Sequence, residues 1–401
     1  MTFHGERAFW YAQRLSFPRL VGTPGERQAA AAVIETFTTL GYEVTEQPFP
    51  ITRTPWGWMR VALTVSLVCL IGARLTVARF PLIAAALCVL VLCGLPVVER
   101  LWRSLARRGG SATEPALHSS NIIARRPGAR PAPLSLTLYL MAHYDSKSQT
   151  ISLPTRIVLM VTAGLGSVVF AATCLAAALS PAVVTDSPWL LAVATVPWAL
   201  SIAGLLVLLA ARTENRSPGG LDNAGSVGVL LALAEALREV EFREIDVVFV
   251  STGAEELGLL GAYALVRQWK AQVDRSRAWV LNLDGVGVEG ALRVTEGARL
   301  LVRPRSRYAA LIRRIADRDG IPLRDFPILP GLLLDHIPFS ADGLPATSLI
   351  GVSARATHIH TERDTTDLIS PAGLGEAGRL VEGVMQELEG SGFRGQGSGK
   401  T

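Results

Sequence analysis

Three long runs without a charged residue constrain this chain more than any other feature of its sequence. They cover residues 80–98, 157–185 and 187–211, and a fourth apolar run at 61–78 is interrupted by Arg74. Because about 20 apolar residues cross a bilayer, all four runs predict membrane-spanning helices. Only 18% of the chain is charged, against about 25% in average soluble proteins. The alternative is a soluble enzyme whose core helices are unusually apolar.

The four runs pair into two predicted transmembrane hairpins, at residues 57–101 and 152–212. The rest is predicted to form one discontinuous domain, made of residues 1–56, 102–151 and 213–389. Within it, Thr23-Pro24-Gly25-Glu26 predicts the start of a helix that runs to about Leu40 and is followed by a strand. A tail rich in Gly and Ser at 390–401 is expected to be disordered.

Charge and cysteine usage narrow the chemistry. The net charge is +5, but no basic stripe with interleaved aromatic residues is present, so nucleic acid is not an expected partner. All four cysteines lie in apolar runs, where they are poorly placed for a disulfide framework or a thiolate zinc site: Cys69, Cys88, Cys93 and Cys174. A metal site in this chain is therefore expected to use histidine and carboxylate ligands.

Outside the apolar runs, strand and helix patterns alternate, which predicts an α/β fold with a largely parallel central sheet and helices on both faces. The predicted strands cover residues 134–140, 245–250, 278–283 and 346–352. The polar residues that follow these strands, in order, are His143, Glu255 with Glu256, Asp284 and His360. A further acid, Asp222, precedes a predicted helix. Open α/β sheets carry their sites beyond the carboxyl ends of the strands, so these side chains are expected at one edge.

Each of these side chains taken alone has an ordinary structural explanation. A histidine after a strand is usually a loop residue, Asp222 alone would cap a helix, and Asp284 alone would form a turn. Adjacent glutamates are usually solvated charges. Together, however, they offer the nitrogen and oxygen ligands that zinc accepts, so the joint pattern favours a zinc site.

The motifs around these residues resemble the co-catalytic di-zinc aminopeptidases of the aminopeptidase S and aminopeptidase Y family. The matching segments are His143-Tyr144-Asp145-Ser146, Gly220-Leu221-Asp222-Asn223-Ala224-Gly225, Glu255-Glu256-Leu257-Gly258-Leu259-Leu260-Gly261, Leu283-Asp284, and His358-Ile359-His360-Thr361-Glu362-Arg363-Asp364-Thr365. The resemblance implies the zinc exopeptidase fold for the discontinuous domain, with the hairpins as insertions that soluble members lack.

The resemblance also implies a ligand set for two zinc ions. The five ligands would be His143, Asp222, Glu256, Asp284 and His360. Asp222 would bridge the two ions. His143 and Asp284 would complete one site. Glu256 and His360 would complete the other.

Three further residues receive roles from the same resemblance. Glu255 would act as the general base, and Asp145 would orient His143 and fix its tautomer. The segment Asp335-His336-Ile337-Pro338-Phe339 resembles a part of the family that lines the substrate side, so His336 is a candidate substrate contact. The alternative for His336 is a structural histidine that is hydrogen-bonded to the backbone.

Three functions are compatible with these patterns. The first is a membrane-bound zinc exopeptidase that removes N-terminal residues from peptides. The second is a glutaminyl-cyclase-like enzyme with one zinc, which the segments His143-Tyr144-Asp145-Ser146-Lys147 and Asp335–Phe339 also resemble. The third is a catalytically silent membrane scaffold of the same fold. The filled ligand positions and Asp222-Asn223 favour the first function. The oligomeric state is not predicted.

Cations predict which side of the membrane the domain occupies. Two hairpins return the chain to the side where it began, so all three soluble segments share one side. On that side lie Arg53, Arg60, Arg100, Arg103, Arg107, Arg108, Lys147, Arg156, Arg212 and Arg216, and on the far side Arg74 and Arg79. Because Lys and Arg accumulate on the cytoplasmic side, the domain is expected in the cytoplasm, at the cell membrane. The N-terminus also lacks a signal-peptide pattern.

Overall fold

A mostly parallel sheet runs through one of the two units of the protein. The computed structural model describes residues 2–51, 55–108, 117–126, 135–180, 188–270, 272–329 and 331–390. The sheet unit comprises Met1–Thr52, Gly109–Ser148 and Glu214–Thr401, and the helical unit comprises Arg53–Arg108 and Gln149–Thr213. The predicted disordered tail falls outside the described residues, apart from Gly390.

The described residues form ten strands: β1 (Glu43–Ile51), β2 (Leu117–Arg125), β3 (Leu136–His143), β4 (Ser148–Gln149), β5 (Thr213–Glu214), β6 (Ile245–Thr252), β7 (Ala278–Asp284), β8 (Leu292–Glu296), β9 (Arg324–Asp325) and β10 (Ala346–Gly351). The main sheet has the order β1-β2-β6-β3-β7-β10-β8-β9. Its four central strands, β6, β3, β7 and β10, are parallel neighbours. The pairs β1 with β2, β2 with β6, and β8 with β10 are antiparallel. The predicted α/β fold with a largely parallel central sheet is confirmed.

The described residues also form eleven α-helices. Those of the sheet unit are α1 (Gly5–Leu15), α2 (Pro24–Thr39), α7 (Gly225–Leu237), α8 (Leu260–Trp269), α9 (Arg307–Arg318), α10 (His336–Ala341) and α11 (Pro371–Gly390). Those of the helical unit are α3 (Pro55–Thr76), α4 (Pro81–Arg108), α5 (Leu153–Leu179) and α6 (Pro188–Ala210). A π-helical turn, Gly220–Ala224, leads into α7.

The helix α2 begins and ends where the sequence predicts. Thr23 precedes it and accepts a hydrogen bond from the Glu26 backbone N–H at 3.5 Å, and Pro24 occupies the first helical position. Gly41, with φ of +85°, follows the helix, and β1 begins two residues later. A left-handed glycine after the last turn is a common way to end a helix.

The helix α7 lies in the core of the sheet unit. Its residues Gly225–Ala234 are all buried, and a helix that is apolar on every side is stable only when it is covered on every side. It packs closely on α1, because a β-carbon at Gly228 would lie 2.3 Å from the Ala8 carbonyl oxygen. This packing fixes the N-terminal end of α7, where the turn that carries Asp222 is attached.

Among the described residues, five helices are long and apolar enough to cross a membrane, judged by length and composition: Gly57–Thr76, Pro81–Arg107, Leu153–Leu179, Trp189–Ala210 and Gly220–Leu237. The first four lie in the helical unit, and their most apolar windows are only 12% to 28% buried. The fifth contains α7 and is 83% buried. The sequence predicts four spans, and the fifth apolar helix is the core helix of the sheet unit.

Small residues bring α5 and α6 together within the helical unit. A β-carbon at Gly166 would lie 2.3 Å from the Pro197 carbonyl oxygen and 2.4 Å from Ser201 Oγ. Ser201 Oγ in turn donates a hydrogen bond to the Ala163 carbonyl oxygen at 3.0 Å. Small residues at such positions let two apolar helices approach closely.

Gly166→Val should therefore destabilise the helical unit by about 1–3 kcal/mol, because the added side chain overpacks the contact. The measurement is the thermal unfolding of the purified chain in detergent. Gly164→Val is the matched control, since a β-carbon at Gly164 meets no described heavy atom within 4 Å. Equal losses in the two variants would contradict the packing argument.

Candidate metal centre

The side chains predicted to bind metal converge at the carboxyl edge of the parallel strands. His143 ends β3 and Asp284 ends β7. The Glu255-Glu256 pair follows β6, and His360 lies in the loop after β10. Asp222 comes from the π-helical turn before α7. Parallel neighbours end at the same edge of a sheet, so this topology gathers residues that are far apart in the sequence.

The carboxylate of Asp222 lies between two histidines. Its Oδ1 is 3.2 Å from His143 Nε2, and its Oδ2 is 3.2 Å from His360 Nε2. Asp284 Oδ2 lies 3.9 Å from His143 Nε2, and Glu256 Oε1 lies 3.2 Å from His360 Nε2. The five side chains thus form two groups of three, which share Asp222. Within each group the potential ligand atoms lie within 4.8 Å of one another.

This donor set fits divalent cations. Imidazole nitrogens and carboxylate oxygens are zinc ligands. The buried Oε1 of Glu256 faces a second potential metal ligand, His360 Nε2, at 3.2 Å. Burial of several carboxylates without compensating cations is costly. The residues present therefore fit divalent metal ions, and Asp222 belongs to both groups.

The electrostatics of the site reflect the crowding of its carboxylates. Burial lowers the pKa of His143, but the charge of Glu255 and the contacts with Asp145 and Asp222 outweigh it and raise that pKa well above its usual value. Burial favours neutral Asp222, yet hydrogen bonds from the two histidines hold its pKa well below the usual range. Burial raises the pKa of Asp284 well above its usual value. The carboxylates of the site thus favour the protonated form of His143, and the histidines favour the ionised form of Asp222.

Asp145 contacts two of the motifs, the one that contains His143 and the one that contains Glu255 and Glu256. Its carbonyl oxygen lies 3.2 Å from His143 Nδ1, and its Oδ1 lies 3.5 Å from the same nitrogen. Its carboxylate also accepts hydrogen bonds from the backbone N–H groups of Glu255 and Glu256, at 3.2 and 3.1 Å. Asp145 therefore joins the end of β3 to the loop that carries the two glutamates, a contact that the sequence does not predict.

Glu255 lies beside the two groups of three and belongs to neither. It is buried, and burial raises its pKa well above the usual value. A tight turn holds it, because its carbonyl oxygen accepts hydrogen bonds from Gly258 and Leu259, both at 2.8 Å. The preceding residue, Ala254, has φ of +54°, an uncommon conformation for a residue other than glycine.

Two residues support the site without having been singled out from the sequence. Asp364 accepts hydrogen bonds from the backbone N–H groups of Leu221, at 2.7 Å, and Asp222, at 3.3 Å. Arg19 is fully buried and donates to the carbonyl oxygens of Tyr144, at 2.7 Å, and Gly219, at 3.1 Å. Asp364 lies within a motif that carries the family resemblance, whereas Arg19 has no sequence signal.

Both ring nitrogens of His336 contact internal partners. Nδ1 lies 2.6 Å from Ser348 Oγ, and Nε2 lies 3.0 Å from the Gly297 carbonyl oxygen. Burial lowers its pKa to about 4, so the neutral ring donates from Nε2 to the carbonyl and accepts at Nδ1. Substrate contact by His336 stays a prediction, and this geometry favours the structural alternative.

Part of the chain matches a known protein family and two known bacterial proteins. Residues 202–385 match the model of peptidase family M28. Aminopeptidase YwaD of Bacillus subtilis (strain 168) is 29% identical over 181 residues, which are 43% of this chain and 38% of YwaD. The alkaline phosphatase isozyme conversion protein of Escherichia coli (strain K12) is 30% identical over 135 residues, 32% of this chain and 39% of that protein. The chain thus spans about two fifths of the length of these relatives.

Two solved structures share the fold. BSAP, a zinc aminopeptidase from Bacillus subtilis, superposes with a TM-score of 0.55 and 17% identity, covering 96% of this chain and 95% of that one. The glutaminyl cyclase of Porphyromonas gingivalis has a TM-score of 0.52 and 17% identity, covering 96% and 98%. At such identities these matches show the fold alone.

Asp145→Asn should weaken metal binding by about 10–100-fold, the usual effect of losing a group that orients metal ligands. The carboxylate of Asp145 accepts hydrogen bonds from two backbone N–H groups. An amide has only one acceptor oxygen, so its NH₂ group would face one of these N–H groups, donor against donor. Zinc affinity is measured by competition with a chelating dye. The exposed Asp317→Asn is the control, and equal affinities in the two variants would contradict the role of Asp145.

Proposed function

We propose that the protein, whose residues 202–385 match the model of peptidase family M28, is a membrane-bound zinc aminopeptidase that hydrolyses the N-terminal bond of peptides. The observation that carries this proposal is the pair of three-residue groups that share Asp222. Two proteins that it resembles support the reaction class, since YwaD is named an aminopeptidase and BSAP a zinc aminopeptidase.

The chain's own residues divide the work of this reaction. Two zinc ions, when bound, would polarise the scissile carbonyl and the attacking water. Glu255 takes the proton from that water and delivers it to the leaving amine, a role that suits a carboxylate beside the ligands but outside both groups. Asp145 holds His143 and the backbone of Glu255 in place.

The membrane part of the proposal rests on the helical unit. Only 12% to 28% of the most apolar window of each of its four helices is buried. Large exposed apolar surfaces indicate contact with a membrane or a partner. Four lengths that suit a bilayer favour the membrane. The surplus of Arg and Lys at one end of the runs favours a cytoplasmic sheet unit.

Purified protein with zinc should release single N-terminal amino acids from a library of unmodified peptides. Glu255→Gln should lower this turnover by about 10²–10⁴-fold, the usual contribution of a general base. Zinc content should persist, because Gln keeps the size of Glu and leaves the five ligands intact. Mass spectrometry reads the cleavage, and elemental analysis reads the zinc.

The exposed Glu241→Gln is the control and should keep full activity. Near-normal turnover in Glu255→Gln would refute the assignment of the base. Loss of ammonia from peptides that begin with Gln, without removal of a residue, would instead support the cyclase-like reaction. Absence of any turnover in protein that binds zinc would support the silent scaffold.

The orientation is testable by cysteine labelling in intact cells. In a chain whose four native cysteines have been replaced, Ser187→Cys should react with an impermeant maleimide, whereas Ser398→Cys should not. This follows because Ser187 lies between the two apolar runs of the second predicted hairpin, on the predicted outer side, whereas Ser398 lies in the last segment of the sheet unit. The opposite pattern would place the sheet unit outside the cytoplasm.

A further inference from the structure

A buried lysine contacts one of the predicted metal ligands. Lys147 lies just beyond the end of β3 and is 7% exposed. Its Nζ lies 2.6 Å from Glu256 Oε2, and it donates a hydrogen bond to the Glu256 carbonyl oxygen at 3.3 Å. Burial favours neutral Glu256, yet the charges of Lys147 and His360 lower its pKa to about 2. In the sequence, Lys147 ends the segment His143-Tyr144-Asp145-Ser146-Lys147 and is one of the cations on the predicted cytoplasmic side.

This contact gives the two carboxylate oxygens of Glu256 different partners. Oε2 is held by Lys147, and Oε1 is left facing His360 Nε2. A carboxylate fixed in this way presents one oxygen to a metal in the group Asp222–Glu256–His360. The same ammonium group repels a divalent cation in that group, and the repulsion is large because the site is shielded from water.

The other group of three is placed differently. His143 and Asp284 end neighbouring strands, and the ionic contacts of His143 are with the carboxylates of Asp145, Asp222 and Asp284. Two groups that share Asp222 thus differ in local charge. One has a lysine bonded to a ligand, and the other has acids around its histidine.

We infer that Lys147 is a positioning residue that makes the two halves of the metal centre unequal. It restricts Glu256 to one ligating oxygen and lowers the affinity of the Asp222–Glu256–His360 group for zinc. That group is then the one that loses and regains its ion readily. The inference rests on the proposed function, because it requires a centre for two metal ions.

The test measures zinc affinity in the full-length protein, group by group. Asp284→Asn impairs the group that contains His143, and His360→Ala impairs the group that contains Glu256. In the Asp284→Asn background, Lys147→Met should raise zinc affinity by at least about tenfold, because it removes a buried like charge. In the His360→Ala background the same substitution should leave zinc affinity unchanged.

Further variants separate charge from packing. Lys147→Gln should act like Lys147→Met, while Lys147→Arg keeps the charge and should keep the low affinity. Lys270→Met, at an exposed lysine, is the control for loss of a positive charge elsewhere. In the His360→Ala background, zinc affinity reports on the group that contains His143. It also shows whether each variant is folded.

The possible results separate the inference from the proposed function. Unchanged or lower affinity in both Lys147→Met and Lys147→Gln would overturn the inference, since a lysine that only stabilises Glu256 gives that result. A wild-type protein with two zinc sites would leave the proposed function standing in that case. A wild-type protein without any zinc site would overturn both.

Discussion

The site depends on one carboxylate, that of Asp222, whose two oxygens face two histidines. The chain fixes this side chain through its backbone. Asp364 accepts hydrogen bonds from the N–H groups of Leu221 and Asp222. A β-carbon at Gly220 would lie 2.3 Å from the Thr365 carbonyl carbon, so a larger residue would push the turn away from the segment that holds it. The shared position of Asp222 is therefore set by contacts outside both groups.

Buried negative charge is the second constraint. Arg19 lies within the field of the acidic cluster, and although burial lowers its pKa to about 10, it remains a cation at neutral pH. Its hydrogen bonds go to backbone carbonyl oxygens, so its charge is available to the carboxylates around it. Lys147 offsets Glu256 directly. These two cations are outnumbered by the buried acids of the site, and divalent ions would supply the rest of the compensation.

The sequence predicts the ligands better than it predicts their supports. Polar residues after buried strands are local signals, and parallel pairing converts them into one cluster, as with His143 and Asp284. The hydrogen bonds that Asp145 accepts from the backbone of Glu255 and Glu256, and those that Arg19 donates to carbonyl oxygens, join distant segments. Backbone atoms have no sequence signature. The helix α7 shows a second limit of the sequence. A protein core and a lipid bilayer both favour apolar side chains, so a buried core helix and a membrane-spanning helix have similar composition and differ in burial within the protein.

The positions of the insertions explain how one chain combines both units. β1 and β2 pair in register from Glu43 with Arg125 to Ile51 with Leu117, although α3 and α4 lie between them in the chain. The cost of closing a loop grows only with the logarithm of its length, so a connection between neighbouring strands tolerates a long insertion. The second insertion separates β4 from β5, after the His143 motif and before Asp222. Neither insertion interrupts a strand that delivers a ligand, so we expect the strand ends that carry the ligands to tolerate changes in the length of either insertion.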